Sequence, residues 1–161
     1  ENVGPADIAG SCGAPTVRTF DVNSHLTIHT ATLGLDVYAV YRNRLRARLV
    51  SPQGAEIELL GGLGGENITF DVLLDSRSSN PLDDGDHDNY NEPFFDRVAR
   101  PITNLAAFRD EDAYGTWKLM IYCVSGCSGV FHRARLEVSS ADLFADGFES
   151  SDLTAWSEWY F

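Results

Sequence analysis

The chain has 161 residues, with 12 Lys and Arg against 24 Asp and Glu and a formal net charge of −12. That size suits one domain with a real core. The charge works against nucleic acid and anionic membranes as partners, because both would repel the chain. The sequence holds no run of eighteen apolar residues that could span a membrane as a helix.

Residues 1–15 read as an N-terminal segment ahead of the domain. The chain starts at Glu1 without Met and shows no signal peptide, so a processed or excised product is expected. His25 and His29 fall in one alternating run, with Leu26, Ile28 and Thr30 on the other face. They read as exposed strand residues rather than as a catalytic pair.

The next segment carries four arginines spaced by two, Arg42, Arg44, Arg46 and Arg48. A strand extending back to Arg42 would gather them on one basic face. Such a face either pairs with nearby acids or docks an acidic partner. In Leu45–Val50, Leu45, Ala47 and Leu49 alternate with Arg46 and Arg48, the period of a strand with one buried side. Ser51-Pro52-Gln53-Gly54 follows as a turn, since Pro fixes φ and Gly takes conformations other residues resist. Alternation resumes over 55–60, so the unit is a hairpin. Asn67-Ile68-Thr69 is a glycosylation sequon that reads as incidental.

Residues 75–100 lose the alternation and are rich in Asn, Asp, Ser and Pro, which marks a long acidic loop insertion. Asp84, Asp86, Asp88 and Glu92 are the candidate ligands of a hard cation such as calcium, which takes six to eight oxygens. Gly85 permits a tight turn there. The loop departs from an EF-hand: Asn89 stands where Gly is needed and Phe95 where the bidentate Glu would be. The other reading is a solvated acidic face.

Trp117, Leu119 and Ile121 then alternate with Lys118, Met120 and Tyr122, and Gly115 breaks the polar run before them. Residues 130–138 alternate again, Phe131 and Arg133 against His132 and Ala134, after a turn at Ser125-Gly126-Cys127-Ser128-Gly129. Cys123 and Cys127 flank that turn and are read as a local disulfide. Cys12 is the odd one, free or paired outside the chain. No Cys or His spacing fits a zinc site. The cysteines fit an oxidising compartment better than the cytosol.

Residues 141–161 form a tail in which Phe144, Phe148, Trp156, Trp159, Tyr160 and Phe161 are too apolar to remain in water. The tail packs on its own sandwich or on a neighbour, where Trp156 and Trp159 would be partner-binding and the chain a homo-oligomer.

The two strand-and-turn stretches resemble the P domain, the non-catalytic module after the subtilisin-like domain in proprotein convertases and many secreted bacterial proteases. P domains carry a D-L-x-x-x-L-x-S-P-x-G-T hairpin. Leu45, Leu49, Ser51, Pro52 and Gly54 match it, while Arg44 replaces the acid and Ala55 the Thr. P domains also carry an N-G-T-W-x-L strand entry. Gly115, Thr116, Trp117 and Leu119 match it, with Tyr114 in place of Asn. The closing pattern is partial: Cys123 stands where Asp is usual, and the last strand lacks its Trp. The resemblance covers residues 16–139. It implies an all-β, antiparallel jelly-roll-like β-sandwich over 16–140. It would also allow an ion at the acidic turns Phe70-Asp71 and Asp110-Glu111-Asp112. The tail separately resembles the F-x-D-G-F-E-S-G-D-x-S-x-W-S motif near the ends of many secreted bacterial proteins, with Ser151 replacing the Gly.

These readings lead to a secreted or surface module that stabilises, docks or binds a protein partner. The second function class is a self-assembling extracellular subunit connected through its tail. A weaker third, a carbohydrate-binding jelly roll, has only Tyr38, Tyr41 and Tyr90 as platform residues. Catalysis is not expected. The sequence has no G-x-S-x-G elbow, and its acids cluster in loops with turn residues.

Overall fold

The computed structural model describes residues 1–8, 14–62, 69–82, 92–124 and 127–141, the side chain of Arg42 excepted. Cys12, Asn67, Ile68, Asp84, Asp86, Asp88, Tyr90, Trp156 and Trp159 lie outside the described residues.

The chain forms an all-β sandwich, as the alternating sequence runs require. In chain order the strands are β1 (Asn2–Ile8), β2 (Thr16–Val22), β3 (Thr30–Ala39), β4 (Leu45–Val50), β5 (Glu56–Gly61), β6 (Thr69–Asp75), β7 (Val98–Ala99), β8 (Gly115–Cys123) and β9 (Gly129–Ser139). One sheet has the order β1-β9-β3-β6-β7, the other β2-β8-β4-β5. Every strand pair is antiparallel except β6 with β7. Two short 3-10 helices, Arg42–Arg44 and Leu105–Phe108, interrupt the strands.

The core lies between the sheets. Leu33, Leu35, Val37, Phe70, Val72 and Phe131 meet Leu45, Leu49, Ile57, Trp117, Leu119 and Ile121, all buried. Burying a side chain of this size contributes about 1.5–3 kcal/mol before entropy is set against it. Among the described residues Trp117 is the largest buried side chain. Its Nε1–H donates to the Ala113 carbonyl at 3.0 Å, and its ring meets Phe108 edge-on at 5.0 Å between centroids.

Several expectations change. The N-terminal segment is not outside the sandwich: β1 pairs with β9, so Cys12 falls between two strands rather than before the first. The run from His25 to His29 is not a strand, because β3 begins at Thr30. The alternation in β9 breaks at a bulge opposite Asp36 and Val37, so Phe131 and Ala134 both reach the core. A second irregularity between Ala47 and Arg48 lets consecutive residues Leu59 and Leu60 both be buried in β5.

The outer face of β3 is also covered. Thr32 and Asp36 point away from the core-facing leucines, yet they are 8% and 3% exposed. The cover is the end of the insertion: Phe95, buried, lies against Gly34, where an added Cβ would stand 2.7 Å from the Phe95 ring.

Candidate functional site

The two motif stretches meet in space. β4 and β8 are neighbours, with Leu49 opposite Leu119 and Val50 opposite Lys118. The turn at the end of β4 closes through Ser51 N–H to the Ala55 carbonyl at 2.8 Å and Gly54 N–H to the Ser51 carbonyl at 3.0 Å. Pro52 in that turn packs over Gly115 at the start of β8.

The arginine series is not one face. β4 starts at Leu45, and Arg42 and Arg44 lie in the preceding 3-10 helix. The Arg44 guanidinium sits 4.4 Å over the Tyr41 ring. Arg48 pairs with Glu56 at 2.9 Å, and Arg46 with Glu58 at 3.9 Å. The chain's own glutamates therefore meet the two strand arginines.

His25 bonds Asp112 through Nδ1 at 2.6 Å and stacks on the exposed Tyr114, with ring centroids 4.1 Å apart. The Tyr114 N–H and then the His25 contact lower the Asp112 carboxyl below its usual range. At the end of β9 a cleft of about 740 Å³ is lined by His29, Arg77, Arg109 and Ser140. Arg77 is held there by Asp75 at 2.8 Å.

Among the described residues a buried polar cluster lies against Phe95. Asp36 on β3 and Asp71 on β6 are directly opposite one another. They are 3% and 1% exposed. Asp71 lies inside a strand, not in the turn expected of it. Asp36 meets His132 Nδ1 at 3.2 Å and Arg133 Nε at 3.8 Å. Asp71 Oδ1 accepts the Phe95 N–H at 2.9 Å, while Oδ2 has no hydrogen-bond partner among the described residues. Burial pushes the Asp71 carboxyl up to about 6; the Phe95 N–H opposes this, and the charges of Asp36 and Asp96 add to it. Burial also raises Asp36, against the pull of His132 and Arg133. No local pattern announces this pair, because its members lie far apart along the chain and the β3–β6 register joins them.

Of the candidate calcium ligands only Glu92 is described. It is exposed and lines a shallow cleft of about 430 Å³ with Glu1, Phe94, Phe95 and Arg135. Among the described residues no three acidic, His or Cys side chains are set to enclose a metal. Cys123 and Cys127 form a disulfide. Among the described residues no helix is long and apolar enough to cross a membrane.

No family model and no curated protein matches the chain. Among solved structures it is similar to the serine protease of Aeromonas sobria, and to that protease in complex with a chaperone. In both cases the identity is 20%, the TM-score is 0.53, and 83% of this chain covers 24% of the other. The chain therefore spans about a quarter of the protease's length. At this identity the likeness establishes the fold: a β-sandwich built like one part of a bacterial serine protease chain.

Proposed function

We propose that the chain is a non-catalytic, extracellular β-sandwich module of the P-domain type that docks or stabilises a protein partner in the setting of a secreted protease. The observation that carries this reading is the contact between the two motif stretches. Pro52 and Gly115 come from the hairpin and strand-entry motifs, and the close approach of one requires the other to lack a side chain. The likeness to a quarter of a serine protease chain supports the same setting. A bound calcium ion in the 83–92 loop, with Asp84, Asp86, Asp88 and Glu92 as ligands, would stabilise the module.

The aromatic tail favours a second reading, a subunit that self-assembles through Trp156 and Trp159. Sedimentation of the full chain, with and without Trp156→Ala and Trp159→Ala, separates the two. A monomer in both forms supports the module. An oligomer that the double substitution dissolves supports assembly. Cleavage of casein by the purified chain would overturn the non-catalytic reading.

A further inference from the structure

The end of β9 runs along the wall of a cleft. It is pinned there beside β3: the His29 N–H donates to the Ser139 carbonyl at 2.7 Å, and the Thr30 and Ser139 hydroxyls are hydrogen-bonded. Thr30 and Ser139 are also register partners, so β9 ends where β3 begins. The cleft at this end holds about 740 Å³, and Ser139, Ser140 and Ala141 form part of its wall. Sites for ligands commonly have volumes of about 300–1,000 Å³.

The charged groups of the cleft leave one cation over. Arg77 is fixed by Asp75, its Nε 3.1 Å from Oδ1 and its Nη2 2.8 Å from Oδ2. Glu137 is taken by Arg135 at 2.9 Å. Among the described residues the Arg109 guanidinium has no hydrogen bond or ion pair. Its backbone is set by the end of the Leu105–Phe108 helix, where its N–H donates to the Ala106 carbonyl at 3.0 Å. Arg77, Arg109 and His29 line the adjoining recess as well, so these basic side chains share one locality. A guanidinium has five N–H donors, and Asp75 engages only one edge of Arg77. Two arginines gathered in one cleft, in a chain of net charge −12, suit a carboxylate.

The chain supplies such a group next to the cleft. Residues 142–161 contain Asp142, Asp146, Glu149, Asp152 and Glu158, with no Lys, Arg or His. Asp142 directly follows Ala141, its Cα about 3.8 Å further along, and Glu149 is at most about 28 Å from Ala141 along the chain. We propose that the cleft is a carboxylate-binding site whose occupant is the acidic stretch 142–149 of the same chain. Arg109 takes a carboxylate of that stretch, and Arg77, already held by Asp75, adds the second positive charge. Covalent attachment favours this occupant over a separate acidic peptide, because a short tether gives an effective concentration in the millimolar range. Each contact is solvated, so it is weak alone and is screened by salt.

The test is limited chymotrypsin digestion of the full chain, following cleavage after Phe144 and Phe148 by mass. Each rate is divided by that of a synthetic peptide with the same tail sequence, which removes changes in intrinsic cleavability. At low protease the ratio reports the fraction of tail that is unseated. Arg109→Glu is expected to speed cleavage by about fivefold, as is ionic strength of about 1 M. Arg100→Glu makes the same charge change outside the cleft and should leave the rate alone. Asp142→Asn, Asp146→Asn and Glu149→Gln together should match Arg109→Glu, and adding Arg109→Glu to them should have no further effect. The acid variants lie outside the sandwich, so they keep the test valid should Arg109→Glu lower the melting temperature. Equal rates in the unchanged chain and in both sets of variants overturn the proposal. So does protection that is lost on dilution, which would seat the tail on a second copy. A tail cleaved as fast as its free peptide in the unchanged chain also overturns it, and leaves the cleft to an acid from a separate partner.

Discussion

Gly115 and Pro52 are fitted to one another. Gly115 has φ 122, and a Cβ built on it would stand 2.8 Å from Pro52 Cβ. Two separate demands, backbone and packing, therefore exclude a side chain at the entrance to β8. Gly115→Ala is expected to destabilise by roughly 2–4 kcal/mol, from an unfavourable backbone together with overpacking. In a Pro52→Gly background the same change should cost about 1 kcal/mol less, because part of the overlap is gone. Denaturant unfolding of the four proteins measures this coupling. Additive effects would show that packing against Pro52 is not the constraint.

Trp117 follows two residues later and carries the largest single share of the core. It is fully buried, edge-on to Phe108, and hydrogen-bonded to Ala113. Trp117→Ala should cost roughly 3–5 kcal/mol. Trp117→Phe should cost less but leave the Ala113 carbonyl without its partner. Thermal melting of both variants checks the order; a neutral Trp117→Ala would mean the residue is not the keystone its burial indicates.

The sandwich was legible because its best strands are two-faced. Leu45, Ala47 and Leu49, and Trp117, Leu119 and Ile121, alternate without interruption, and each set is buried. Legibility failed where the backbone departs from period two. The bulge opposite Asp36 and Val37 shifts the face of β9, and sequence alone does not mark it. The arginines at 42–48 share a spacing but not a conformation, since Arg42–Arg44 turns before β4 begins. β1 contains Gly4 and Pro5, residues that speak against a strand, yet edge pairing with β9 tolerates them. The buried Asp36–Asp71 pair and the docking of Phe95 on Gly34 arise from tertiary juxtaposition, for which no local pattern exists.

The disulfide gives a third prediction. Cys123 ends β8 and Cys127 stands just before β9, both buried, so their bond clamps the connection between two central strands. The loop is short, with a sequence separation of 4. Chain-entropy arguments then assign it only about 2 kcal/mol. Reduction should lower the melting temperature without unfolding the protein at room temperature. A non-reducing peptide map should show Cys123 joined to Cys127, with Cys12 absent from any intrachain bridge. A crosslinked peptide containing Cys12 would sink this pairing.

Calcium is the last prediction, and it rests on charge density. The 83–92 loop carries Asp83, Asp84, Asp86, Asp88 and Glu92 in ten residues of a chain that already has a net charge of −12. Those carboxylates repel one another unless water or a cation separates them. An ion that binds only the folded state stabilises it by RT ln(1 + [L]/Kd), about 2.7 kcal/mol at a hundredfold excess over Kd. The melting temperature should rise with calcium and fall with chelator, and Asp86→Asn with Asp88→Asn should abolish the response. A full response in that double variant would place the ion elsewhere, with Asp71 or Asp110–Asp112 as the next residues to change. No response at millimolar calcium would leave the loop as a solvated acidic face.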